Sequence, residues 1–235
     1  MAEKETQLQH MLSQLRTRFL VMYAAVEISL DEATSALLKG NVGKAKAVID
    51  GDNLINLKEN EIDDLSLSIL VRNQPVAQDL RFVVAALRMV GELERIGDEA
   101  VSIAERTLAL NANGCKIEQG LVLPLINKAK KLFAAAENTF KTLDSAQAIS
   151  MSRGDSNIYD TLEMQALHQI MNHKTDSANW LDNETNPESC KLTQSILVIR
   201  SLNRICHRCV NLAEHVYFIS EGVNIKHKEI HYKDL

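Results

Sequence analysis

The chain has 235 residues; 46% are hydrophobic but only 4% aromatic, and it contains nine Gly and three Pro. So few turn formers exclude an all-β sandwich or barrel, which needs a turn about every 8–12 residues. A net charge of −5 argues against a dedicated nucleic-acid binder, and the abundant aliphatics argue against disorder.

No G-x-G-x-x-G or P-loop string occurs, which removes the glycine-rich nucleotide folds. Apolar runs such as Val21–Val26 and Val83–Leu87 fall far short of the roughly 20 residues that span a bilayer. The start of the chain, Met1-Ala-Glu-Lys-Glu5, lacks the apolar core of a signal peptide. Cys115, Cys190, Cys206 and Cys209 form no paired framework. Together these features point to the cytoplasm.

Six helical segments are predicted, separated by prolines and by Gly40-Asn-Val-Gly43, Asn111-Ala-Asn-Gly114 and Arg153-Gly-Asp155. The first, over residues 5–39, carries Leu8, Leu12, Leu15, Phe19, Met22, Val26, Leu30, Ala33 and Leu37 at bundle spacing. The second covers residues 43–73. The third, over 75–111, is apolar on two sides, which places it between neighbours. The fourth, over 120–151, repeats the bundle pattern with Leu125, Leu132, Ala136, Phe140 and Leu143. The fifth and sixth cover 155–181 and 188–222. Pro75, Pro124 and Pro187 lie beside or within the first turn of their segments. Leu93-Glu-Arg-Ile-Gly-Asp98 through Glu105 recurs as Leu202-Asn-Arg-Ile-Cys-His207 through Glu214. The expected fold is therefore all-α: two tandem three-helix bundles, residues 1–113 and 114–235.

The third segment holds the most chemistry. Glu94, Asp98 and Glu105 continue the face begun by Leu80, Val84, Leu87 and Gly91. The preceding segment offers Glu59 and Asp63 at the same Glu-x-x-x-Asp spacing, with Asp52 and Asn56 upstream. The short Asn73-Gln74-Pro75 turn makes the two segments antiparallel, so four carboxylates can share one layer. Buried carboxylates must be paired, protonated or metal-bound, and oxygen donors suit Mg, Mn or Fe. Arg81, Arg88, Arg95 and Arg106 form a second stripe, and Arg95 can neutralise a neighbouring carboxylate. Spacing alone leaves metal site and salt bridge both open. Gly91 and Gly97 sit inside this helix at a cost of about 1 kcal/mol each, which suggests close helix approach.

Three strings resemble the PhoU family: Asp52-Asn-Leu-Ile-Asn56, Gln74-Pro-Val-Ala-Gln-Asp-Leu-Arg81, and Leu93-Glu-Arg-Ile-Gly-Asp98 with Ile103-Ala-Glu105. The resemblance covers nearly the whole chain and implies a duplicated six-helix repeat. It implies a cytoplasmic, commonly dimeric regulator without an enzymatic step. Such a protein represses phosphate-starvation signalling and couples the phosphate transporter ATPase to a sensor histidine kinase. It reaches the membrane only through its partners. It also implies divalent or iron ions in the first repeat, on Glu59 with Asp63 and Glu94 with Asp98. Glu99 and Ser102 stand where the family usually has His and Asn.

The second half departs from this pattern. Asn203-Arg-Ile-Cys-His207 replaces the acidic motif, so the second metal site is expected to be lost or altered. Cys206 and Cys209 read as helix-packing residues. His168 with His173, and His227 with His231, are weak ligand pairs. Two other functions compete. An accessory protein of a different phosphate transporter would carry the same motifs. A di-metal carboxylate enzyme would need Glu-x-x-His motifs, whereas Ile62 and Gly97 follow Glu59 and Glu94 at that spacing.

Overall fold

The computed structural model describes residues 2–154, 156–172 and 187–225. Among them are seven helices: α1 (Ala2–Lys39), α2 (Val42–Asn73), α3 (Ala77–Ala112), α4 (Gln119–Thr142), α5 (Ser145–Gly154), α6 (Ser156–Asn172) and α7 (Pro187–Glu221). The predicted layout is all-α, as the periodicity requires. Part of the fifth predicted segment, residues 173–181, lies outside the described residues.

The turns follow from local chemistry. Asn41 caps α2 by accepting from the Lys44 N–H at 3.0 Å, which satisfies one of the donors a helix start leaves free. Gln74 then takes a left-handed conformation (φ 47°) and ends α2. Pro75 follows, where helix cannot continue unstrained.

The fourth segment is interrupted. Leu143 is left-handed at φ 54°, and Asp144 accepts from the Gln147 N–H at 2.9 Å to start α5. The carbonyls freed at the end of α4 are claimed from afar. Arg16 donates to the Phe140 and Lys141 oxygens at 3.2 and 2.7 Å, and the Ser220 hydroxyl donates to the Leu143 oxygen at 3.0 Å. These partners come from α1 and α7, so the apolar pattern of the segment itself could not reveal the break. Pro124 lies beyond the first turn of α4, five residues after its start. Its ring leaves the Gly120 carbonyl without a helical donor, and Gly120 is exposed to water.

One apolar core runs through both halves of the chain. The first three helices pack on one another, and α7 packs on α4, α5 and α6. Two junctions join these groups. Between α1 and α4 four aromatic rings gather, with Phe19–Phe140 centroids at 5.0 Å and Tyr23–Phe133 at 5.3 Å. Between α3 and α7 the contact is polar as well as apolar. The buried Glu92 accepts from Arg208 at 3.0 Å and Asn211 at 3.2 Å. One turn of α7 away, Arg204 donates to Glu99 at 2.9 Å, and Ser201 meets Ser102 at 3.5 Å.

Breaking a buried ion pair from one side strands the other charge. Arg208→Met is expected to lower the unfolding free energy by about 3 kcal/mol, and the double change with Glu92→Met to restore most of it. Urea titrations of the three proteins check this; a double variant as unstable as the single one would contradict it.

Candidate functional site

The acidic layer lies between α2 and α3. The former supplies Asp52, Glu59 and Asp63; the latter supplies Glu94 and Asp98. Ile55, Ile62 and Ile69 on α2 and Leu93, Ile96 and Ala100 on α3 are buried. The two helices pack directly on each other, with Ile55 against Gly97, and the carboxylates lie on the same side of α3 as that contact. Asp52, Glu59, Asp63 and Glu94 are half-buried, and Asp98 is exposed.

The two glycines behave differently. A Cβ on Gly97 would lie 3.0 Å from the Ile55 Cδ1 and 3.9 Å from an Asp52 oxygen. Gly97 is thus a point of close helix approach. At Gly91 the nearest atom would be Glu59 Oε1 at 4.0 Å, so no close packing requires glycine there.

The carboxylates perturb one another. Partial burial, then Asp98 and Glu59, push the Glu94 carboxyl up to about 7; a hydrogen bond with Asp98 contributes to the rise. Glu59 is raised by burial, then by Asp63 and Asp98. Asp63 is raised by burial and by Asp64. Asp98 is raised by burial and by Asp52, while the bond from Glu94 works against the rise. Arg95 opposes the rise at Glu59, Glu94 and Asp98, yet forms no ion pair with them among the described residues. One oxygen each of Asp52 and Asp63 is buried without a hydrogen-bond partner. Asn56 serves the other Asp52 oxygen at 3.0 Å.

Glu59, Glu94 and Asp98 are therefore brought into mutual influence, with Asp63 joined through Glu59 and Asp52 through Asp98. Glu105 is drawn away into a pair with Arg106 at 3.2 Å. Arg81 bonds the Ile219 carbonyl at 3.1 Å, and Arg88 lies over Phe218, so neither serves the layer. The donors suit a hard cation: they are oxygens, mutually repelling, with two orphaned atoms. They do not converge as a finished shell, however. Among the described residues no three His, Cys, Asp or Glu side chains are grouped closely enough to hold an ion.

The second half is built differently. Asp160 and Glu163 on α6 face Asn203, whose amide donates to both, at 3.1 Å to Asp160. His207 Nε2 lies 3.2 Å from the same Asp160 oxygen, and its Nδ1 lies 3.2 Å from the Tyr159 hydroxyl. Amide and imidazole thus occupy the place that Glu94 and Asp98 hold in the first half. Reading α7 alone could not reveal Asp160 and Glu163 as its partners; their i,i+3 spacing on α6 was the available signal. Cys206 and Cys209 are fully buried in the core. His173, His227 and His231 lie outside the described residues, and His168 is exposed. No described helix is long and apolar enough to cross a membrane.

Comparison with known proteins is consistent across sequence and structure. Residues 19–107 match the PhoU domain. The phosphate-specific transport system accessory protein PhoU homolog of Pseudomonas putida is 30% identical over 219 residues, 92% of this chain and 81% of that protein. The PhoU accessory protein of Escherichia coli K12 is 28% identical over 219 residues, covering 92% and 86%. The crystal structure of Pseudomonas aeruginosa PhoU superposes with a TM-score of 0.83 at 28% identity, covering 92% of this chain and 99% of that one. A Streptococcus pneumoniae PhoU structure shares the fold at a TM-score of 0.82 and 22% identity.

Three outcomes are expected. The Glu94 carboxyl rises from 4.5 to about 7 on folding, so within that window the folded chain keeps a proton the unfolded chain has lost. Its contribution to stability is fullest below 4.5 and falls as pH rises through 7. In chelator, wild type should lose about 1 kcal/mol relative to Glu94→Gln between pH 5 and pH 8, a figure discounted for solvent screening. Parallel urea profiles for the two proteins would refute it. Gly97→Val should destabilise by about 2 kcal/mol through overpacking against Ile55. Gly91→Ala should stabilise by about 0.5–1 kcal/mol. Thermal melts of both separate these signs.

Proposed function

This chain belongs to the PhoU family, and from that membership we propose that it is an accessory protein of phosphate transport. The carrying observation is likeness to PhoU accessory proteins over 92% of the chain. In this reading it restrains uptake and phosphate-starvation signalling. It does so on the cytoplasmic side, as a homodimer, by bridging the transporter ATPase and a sensor histidine kinase. Residues 1–113 and 114–235 act as its two tandem bundles. The role is one of binding rather than turnover. Exposed apolar side chains on α1 and α2, among them Val21, Ile28, Leu54 and Leu57, support a protein that meets other proteins.

The metal reading is part of the same proposal. Glu59, Asp63, Glu94 and Asp98 would hold divalent or iron ions, which would supply the positive charge this layer lacks. Support comes from the raised carboxyls and the two orphaned oxygens. Service to a different phosphate transporter is the second reading, since the same likeness would carry it.

Deleting the gene should derepress phosphate-starvation genes in high phosphate; unchanged expression and uptake would reject the regulatory role. A tagged chain should capture the transporter ATPase and the kinase from cells grown in high phosphate. Capture of another phosphate transporter's subunit would favour the second reading. For the metal, Glu94→Ala with Asp98→Ala should reduce bound Mn or Fe at least tenfold in equilibrium dialysis. Equal loading of both proteins would remove it.

A further inference from the structure

Two thiols outside the acidic layer lie where the halves of the chain join. Cys115 sits in the turn between α3 and α4, and Cys190 lies in the first turn of α7. The Cys115 backbone N–H bonds the Leu110 oxygen at 2.9 Å, which folds the turn back onto the end of α3. Its thiol then donates to the Pro187 carbonyl at 3.1 Å. Pro187 precedes Cys190 by three residues, and a helical carbonyl points along the axis toward the next turn. The Cys115 sulfur thus lies against the first residue of the helical turn that carries Cys190, close enough for the two thiols to influence each other electrostatically. The Cys190 thiol points back at the end of α3, 4.0 Å from the Ala109 oxygen. Both residues are half-buried, whereas Cys206 and Cys209 are sealed in the core.

We propose that Cys115 and Cys190 are an oxidisable dithiol, and that hydrogen peroxide converts them to a disulfide tying the end of α3 to the start of α7. The Cys115 thiolate attacks one peroxide oxygen; the O–O bond breaks, and hydroxide leaves and takes up a proton. The product is a Cys115 sulfenic acid. The Cys190 sulfur then attacks that sulfur, the S–S bond forms, the S–O bond breaks, and the oxygen departs as water with the Cys190 proton. Two thiols give up two electrons and two protons, and one peroxide becomes two waters. The order of attack follows from environment. Burial, with the neighbouring Cys115 thiol, pushes the Cys190 thiol up, so Cys190 forms thiolate less readily and serves as the resolving group.

The test uses the full chain in its native state. It is treated with equimolar hydrogen peroxide, quenched by alkylation, and mapped without reductant. The expected product is monomeric, lighter by two hydrogens, with Cys115 linked to Cys190 and the link reversed by dithiothreitol. Cys190→Ser should stop at a dimedone-reactive sulfenic acid on Cys115, and Cys115→Ser should show at least a tenfold slower loss of thiol. Oxygen added to wild type without a linked peptide would overturn the proposal. So would a link between chains, or one through Cys206 or Cys209. If a serine variant does not fold, the wild-type map decides alone.

Discussion

The burial of one carboxylate constrains how the molecule is put together. Glu92 sits in the contact between α3 and α7 with its side chain only 8% exposed, and Arg208 is its counter-charge. A lone charge there would be costly, so the two helices must meet in the register that brings Arg208 and Asn211 to it. Glu99–Arg204 and Ser102–Ser201 are rungs of the same antiparallel register. A slip of one turn would break all of them. That register fixes α3 against α7, and therefore where the α2–α3 layer lies relative to the α6–α7 layer.

Those layers have opposite electrostatics although they occupy corresponding places. In the first, all four carboxyls are raised: Asp98 and Glu59 raise Glu94, Asp63 and Asp98 raise Glu59, Asp64 raises Asp63 and Asp52 raises Asp98, with Arg95 opposing at Glu59, Glu94 and Asp98. In the second, the Asn203 amide answers Asp160 and Glu163, and His207 answers Asp160. One layer gains from a proton or a cation. The other already has donors in place. The divergence of Asn203 and His207 from Glu94 and Asp98 thus changes what the second layer can attract, while helix still packs on helix.

What could be read from residues alone follows the range of the interaction. The apolar spacing of Leu15, Phe19, Met22 and Val26 is local, and all four are fully buried. The Glu-x-x-x-Asp pairs are local too, and the Asn73–Pro75 turn was enough to set α2 and α3 side by side. Leu143 is the contrary case. It keeps the apolar period while its backbone turns left-handed, because Arg16 and Ser220 take up the freed carbonyls. Glu92 looked like any helical carboxylate until Arg208, far along the chain, came into contact. Asp160 and Glu163 were hidden for the same reason.

The unequal fastening of α2 and α3 bears on how the acidic layer could influence the rest of the protein. α3 is held on several sides, by α1, α2 and α7, and its ion pairs lock it lengthwise. Among the described residues α2 packs only on α1 and α3, and Leu54, Leu57, Leu67 and Val71 are exposed along it. Repulsion among Glu59, Asp63, Glu94 and Asp98 acts equally on both helices, but the less fastened one yields more. Charge entering or leaving that layer would accordingly be felt first as a change in how α2 sits against Gly97. There Ile55 already fills the space that a side chain at Gly97 would need, so closing further is resisted and opening is the softer direction. The layer therefore pushes on a helix that can give, backed by one that cannot.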